Sequence, residues 1–135
     1  MESNSLNTDK LIQHWLKSSD EDFETMLAMM ESKRYNWALF IGHIVIEKLL
    51  KALFVKTNND YPPLTHNLLL LAKKCNLKMT ADNEIFLVTV TAFNINARYD
   101  DFKKSFQERC TEEYTLLWIE NIKLHRQWIK ELITQ

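Results

Sequence analysis

Glycine occurs once in this chain, at Gly42, and proline twice, at Pro62 and Pro63. An all-β chain uses such residues at every corner, and a phosphate-cradling loop needs several glycines close together, so both are excluded. Cysteine is as scarce. Cys75 and Cys110 stand far apart without a CxxC pairing, which makes no zinc set and reads as two free thiols in a reducing compartment. Formal net charge is only −1, so no broad attraction to nucleic acid or anionic lipid is expected. Long hydrophobic runs are missing too. The most apolar stretch, Trp37 to Ile46, is interrupted by Gly42 and His43 and closed by Glu47, short of the ~20 residues a bilayer requires. Met1 to Lys10 is polar, unlike a secretory signal. These absences predict a cytoplasmic protein with no membrane association and no cofactor.

What is present is apolar and aromatic bulk. The 135 residues are 46% hydrophobic, with four Trp, four Tyr and seven Phe. That is one domain, large enough to bury roughly two-thirds of its unfolded surface. A first helix is predicted from about Asp9 to Ser32, because Ile12, Leu16, Ser19, Phe23, Met26 and Met30 recur at three- and four-residue steps. Ser19 followed by Asp20 and Glu21 reads equally as a helix start, but the stripe keeps its phase through that point. A second helix, Asn36 to Lys56, is apolar on most of its circumference and belongs at the centre of a bundle. Thr65 is placed to cap a third, shorter helix ending near Lys74, and Thr80 precedes a fourth from Asp82 to Asn94. Ile85, Val88, Thr89, Val90 and Thr91 suit a strand by propensity. A lone strand would have no partner, however, and the helix is preferred. Asn94 to Ser105 reads as an irregular polar loop, and Thr111 caps a last helix to Ile133. The expected architecture is all-α: an up-and-down four-helix bundle with one short additional helix.

The second helix carries an anomaly. At 100° per residue, Asn36, Phe40, His43, Glu47 and Lys51 fall in one narrow row on an otherwise greasy rod. Such a row faces solvent or forms a paired polar cluster. The Glu47–Lys51 spacing contributes only about 0.2–0.5 kcal/mol as an i,i+4 pair, so its purpose is positional. Arg98 is expected to fork onto Glu47 or onto Asp22, since guanidinium and carboxylate match bidentately. Two readings of the cluster stand: a latch holding a loop to the bundle, or, with Lys51, a pocket for a phosphate or base.

Four histidines need the same weighing. His125 lies on the core stripe of the last helix and reads as a satisfied, partly buried side chain; His14 reads as surface. His66, beside the expected Thr65 cap, sits where helix N–H groups favour anions; it contacts a ligand or closes the Pro62–Pro63 loop. His43 and Glu47 are too few for a metal site, and the Glu-x-x-His pairs of a di-iron bundle are missing. Lys103, Lys104, Arg109, Lys123, Arg126 and Lys130 cluster late in the chain, diluted by Glu108, Glu112, Glu113 and Glu120. A solvated face is the simpler reading than a nucleic-acid interface.

Trp15, Asp22-Phe23, Phe40, the run Glu47-Lys48-Leu49-Leu50-Lys51-Ala52-Leu53, Thr65-His66 and Ala97-Arg98-Tyr99 resemble, in order and spacing, the pattern of the HEPN family, the nucleotide-binding domain of higher eukaryotes and prokaryotes. The resemblance runs from about Leu11 to Ile133. It implies a bundle of about four or five helices, commonly a homodimer. It also implies a role beside a minimal nucleotidyltransferase, often as half of a toxin–antitoxin pair. Some relatives bind nucleotides and others cut RNA. The ribonucleases resemble one another in an Arg followed by a His after about four to six residues. Here Arg34 precedes His43 by too many, and after Arg98 or Arg109 the next histidine is the distant His125. His43 stands where relatives tend to carry Gln, and Asp100 where Pro usually follows the Arg-Tyr pair. The resemblance is therefore to the branch without that ribonuclease motif. It implies a non-catalytic module that takes a purine nucleotide, or a nucleotidyltransferase with its substrate, near Asp22, His43, Glu47, Lys51, His66, Arg98 and Tyr99. An RNA-cutting toxin with rearranged residues and a purely structural homodimer are the alternatives.

Overall fold

A computed structural model describes residues 6–135, which form six α-helices and, among those residues, no strand. The first is α1, Thr8–Glu31, started by the Asn7 side chain accepting from the Lys10 N–H. It runs unbroken through Ser19. That serine sits in the apolar stripe because its hydroxyl donates to the Val45 carbonyl at 2.8 Å, satisfying it in the core. Lys33, in the left-handed region at φ 64°, reverses the chain into α2, Tyr35–Asn58. This helix buries most of its residues and packs against each of the other five, which makes it the central rod its composition predicts. Its end is set by Asn59 in the left-handed conformation.

The short α3 is Leu68–Lys74, and its cap is Asn67, whose side chain accepts from the Leu70 N–H. The expected cap, Thr65, lies two residues outside the helix and accepts instead from the Asn67 N–H at 3.1 Å. Either residue type caps a helix; the loop fixes the choice, because His43 grips the His66 carbonyl and holds that residue out of the helix. Thr80 and Asn83 close a reciprocal capping box on α4, Ala81–Asn96. Phe86, Leu87, Val90, Phe93 and Asn94 are its buried face, a helical period that overrides the β-propensity of its valines and threonines. α6, Glu112–Thr134, starts at Thr111 as expected.

The expected loop from Asn94 to Ser105 is not there. α4 continues to Asn96, and Asp100–Arg109 forms a further helix, α5, anchored by the single buried side chain Phe106. Acidic residues in its first turn and Arg109 in its last complement the helix dipole. The bundle is thus the expected all-α one with α5 added. At Gly42 α2 and α6 approach closely: a Cβ there would lie 2.5 Å from the end of the Ile122 side chain. No helix among the described residues is long and apolar enough to cross a membrane.

Candidate functional site

The polar row of α2 lies under the segment that joins α2 to α3, and Glu47 organises it. Its carboxylate is 6% exposed and uses both oxygens. Oε2 accepts from the Lys51 ammonium at 2.9 Å, and Oε1 accepts from the His66 ring at Nδ1, 2.8 Å away. Burial alone would raise this carboxyl. The hydrogen bonds from Lys51 and His66, with the charge of Lys51, outweigh it and hold the group below its ordinary value, so Glu47 is ionised. Lys51 is itself buried and stands 5.1 Å from the Trp15 ring centroid, which gives the ammonium an aromatic face on its far side.

His43 is almost wholly buried, and burial depresses its pKa further than Glu47 and the His66 carbonyl restore it. The ring is neutral. Its Nε2 lies 2.9 Å from the His66 carbonyl, which can only accept, so that nitrogen carries the proton. Nδ1 is left as a buried acceptor with no partner among the described residues. The distance from Nε2 to Glu47 Oε1, 3.7 Å, is too long for a hydrogen bond. Two residues of α2 therefore clip the loop: His43 through the His66 backbone, and Glu47 through the His66 ring.

The same clip has an outward side. An ionised carboxylate can only accept, so His66 Nδ1 donates to Glu47. The imidazole, 67% exposed, is left with an Nε2 that bonds nothing among the described residues. Arg98 stands close enough to His43 for its charge to be felt there. Arg98 does not fork onto Glu47 or Asp22. Its Nε donates to the Asn94 carbonyl at 3.0 Å, and its guanidinium carbon lies 5.9 Å from the Phe40 centroid and 5.5 Å from that of Tyr99. Both Glu47 oxygens already have a donor, Lys51 and His66, and the Asn94 carbonyl holds the arginine instead. The terminal nitrogens of Arg98 form no ion pair among the described residues and face outward with the exposed Tyr99 ring.

Asp22 belongs elsewhere. It pairs with Lys48 at 2.6 Å, and Lys48 also donates to the Ser18 hydroxyl, so this trio ties α1 to α2. Of the seven residues singled out by sequence, the structure brings His43, Glu47, Lys51 and His66 into one bonded network and sets Arg98 and Tyr99 at its rim. Arg98 is seated by Phe40, which the row and the family pattern both include, and by Asn94, which carried no signal. His125 lies outside the site: it stacks on Phe86 at 3.6 Å, donates from Nδ1 to the Asn121 carbonyl and receives the Asn83 amide at Nε2. The two cysteines are inert. Burial pushes Cys75 up to about 12 and Cys110 to about 11.

The sequence model of the HEPN domain family matches residues 12–132 of this chain. No curated protein and no solved structure matches it.

Proposed function

From membership of the HEPN domain family, to which this chain belongs, we infer that the domain is a non-catalytic binding module for a nucleotide, purine nucleotides first among them. One observation carries the reading: a buried carboxylate, Glu47, spends its second oxygen on orienting an exposed imidazole, His66, while the charge of the unpaired Arg98 guanidinium reaches His43 in the same network. A latch alone needs only the His43 contact to the loop backbone. Arg98 and His66 are the groups open to a ligand's phosphates, Tyr99 offers a base a face to stack on, and Glu47, Lys51 and His43 are the support behind them.

As the resemblance implies, the module works beside a minimal nucleotidyltransferase in a toxin–antitoxin-like pair and associates with itself. Self-association has a surface to use. Ile85, Val88 and Ile95 on α4, with Leu117 and Leu124 on α6, stand exposed.

A thermal-shift series with purine nucleotides tests the nucleotide reading. Ligand at a hundred times its Kd adds about 2.7 kcal/mol to the folded state. The melting point should rise with nucleotide, and Arg98→Ala and His66→Ala should each cut the rise. A melting point indifferent to every nucleotide, or a rise untouched by both substitutions, counts against the site.

RNA cleavage is a second reading with one observation on its side: an imidazole oriented by a carboxylate, with Nε2 free, is what proton transfer needs. It predicts degradation of bulk RNA by the purified protein, abolished by His66→Ala. RNA left intact, with and without a divalent metal, dismisses it.

A further inference from the structure

α1 and α6 both pack along α2 but scarcely on one another. An ionic staple bridges them: Asp20 of α1 takes Arg126 and Lys130 of α6, at 3.0 and 2.9 Å. Alongside that staple a groove runs from Glu24 to Asp9. It consists of two adjoining cavities of about 430 and 350 Å³, which share Gln13, Leu16 and Thr134. Ile12, Leu16 and Ile133 supply an apolar floor, and Lys56 of α2 closes the far end.

The two walls differ in charge. On α1, Asp9, Glu21 and Glu24 are exposed and form no ion pair among the described residues, against a single unpaired cation, Lys17. On the opposite wall Lys130 is held by Asp20, and Lys56 donates to the Leu132 and Gln135 carbonyls at the end of α6. One lip of an apolar trough thus carries a row of unmet carboxylates, which cations on an occupant would complement.

We propose that this groove docks an amphipathic helix of a protein partner, its apolar face on Ile12, Leu16 and Ile133 and a cationic flank along Asp9, Glu21 and Glu24. Two helices lying on a third leave a trough into which a further helix packs, as in helical bundles. A helix meets both requirements at once, because residues three and four apart share an apolar face while the neighbouring face carries charge. Asp9 to Glu24 spans about 22 Å at ~1.5 Å per residue, room for about four turns. A small ligand is a poorer match, since none of the lining residues offers an unpaired buried polar atom to orient one. The groove is independent of the nucleotide reading: at 100° per residue, Lys56 lies half a turn around α2 from Glu47. Leu117 and Leu124 lie roughly 120–140° around α6 from Lys130, so the residues proposed for self-association are not used either.

Fluorescence anisotropy with a labelled synthetic helix of about four turns tests this. The probe carries Leu at three- and four-residue steps and Lys on one flank; a counterpart carries Glu in place of Lys. The Lys helix should bind more tightly than the Glu helix. Glu21→Lys combined with Glu24→Lys should weaken the Lys helix roughly 2- to 30-fold, two exposed charge pairs lost, and should reverse the preference. Gln13→Trp, at an exposed position shared by both cavities, should close the groove while leaving the melting point and the shift with ATP unchanged. Glu84→Lys combined with Glu108→Lys, outside the groove, should leave binding as it was. Equal binding of the two helices, no binding of the Lys helix, or indifference to Gln13→Trp would overturn the proposal. So would a change in sedimenting mass on Gln13→Trp, which would make the groove a contact between copies of this chain.

Discussion

Glu47 and His43 show how two buried ionisable groups make one chain sensitive to acid. Burial depresses His43, so the folded state keeps it neutral where the unfolded chain takes a proton. The unfolded state then binds more protons, and stability falls as pH drops below ~6.5, the unfolded value, towards the depressed folded one. His125 is depressed by burial in the same sense and contributes to the same window. Glu47 is also depressed, by Lys51 and His66 against burial. Its contribution is present above the ordinary carboxylate range and is lost as pH falls through its lowered folded value. Urea melts at pH 7 and pH 5 should therefore show a smaller loss for His43→Gln than for the parent protein; equal losses would exonerate His43. Glu47→Gln leaves the buried Lys51 without its counter-charge and should cost about 2 kcal/mol at pH 7. Sequence periodicity placed these residues in one row. It could not tell that Lys51 and His66 would take the two Glu47 oxygens while the Asn94 carbonyl holds Arg98 beside the network.

Among the helices, those with a long apolar stripe were legible: α1, α2 and α6 begin and end within two residues of where the pattern places them. α4 was legible through its cap more than its composition. Thr80→Ala removes one half of the capping box and should cost about 1 kcal/mol, measured by chemical denaturation; no loss would mean the box is idle. α5 was missed because only Phe106 reaches the core, leaving almost no hydrophobic stripe to find. The signal was weaker but present, in Tyr99, Phe102 and Phe106 at helical spacing behind two aspartates. Asp22 was misplaced for a different reason: it borders the stripe of α1, and only the packing of α1 on α2 shows that Lys48 takes it. Where α2 meets α6 at Gly42 there is no room for a branched side chain. Gly42→Val should destabilise by about 1–3 kcal/mol through overpacking, and a variant as stable as the parent would show that Ile122 swings aside freely.

For the molecule as a whole, the arrangement separates its proposed surfaces around one central rod. The proposed nucleotide site gathers where the α2–α3 segment crosses the polar row of α2. The exposed aliphatic residues of α4 and α6 carry the proposed self-association. Sedimentation should give the mass of two chains for the parent and of one for Val88→Glu combined with Leu124→Glu; a parent protein that sediments as one chain would remove that surface from the account. The nucleotide site is the claim on which most depends, and imidazole nitrogen NMR reports on it most directly. On adding ATP to the labelled protein, the His66 Nε2 resonance should move and the Arg98 Nε resonance with it, while His14 and His125 stay in place. Resonances of His66 and Arg98 that remain fixed while ATP binds elsewhere, or at no site at all, would contradict the account.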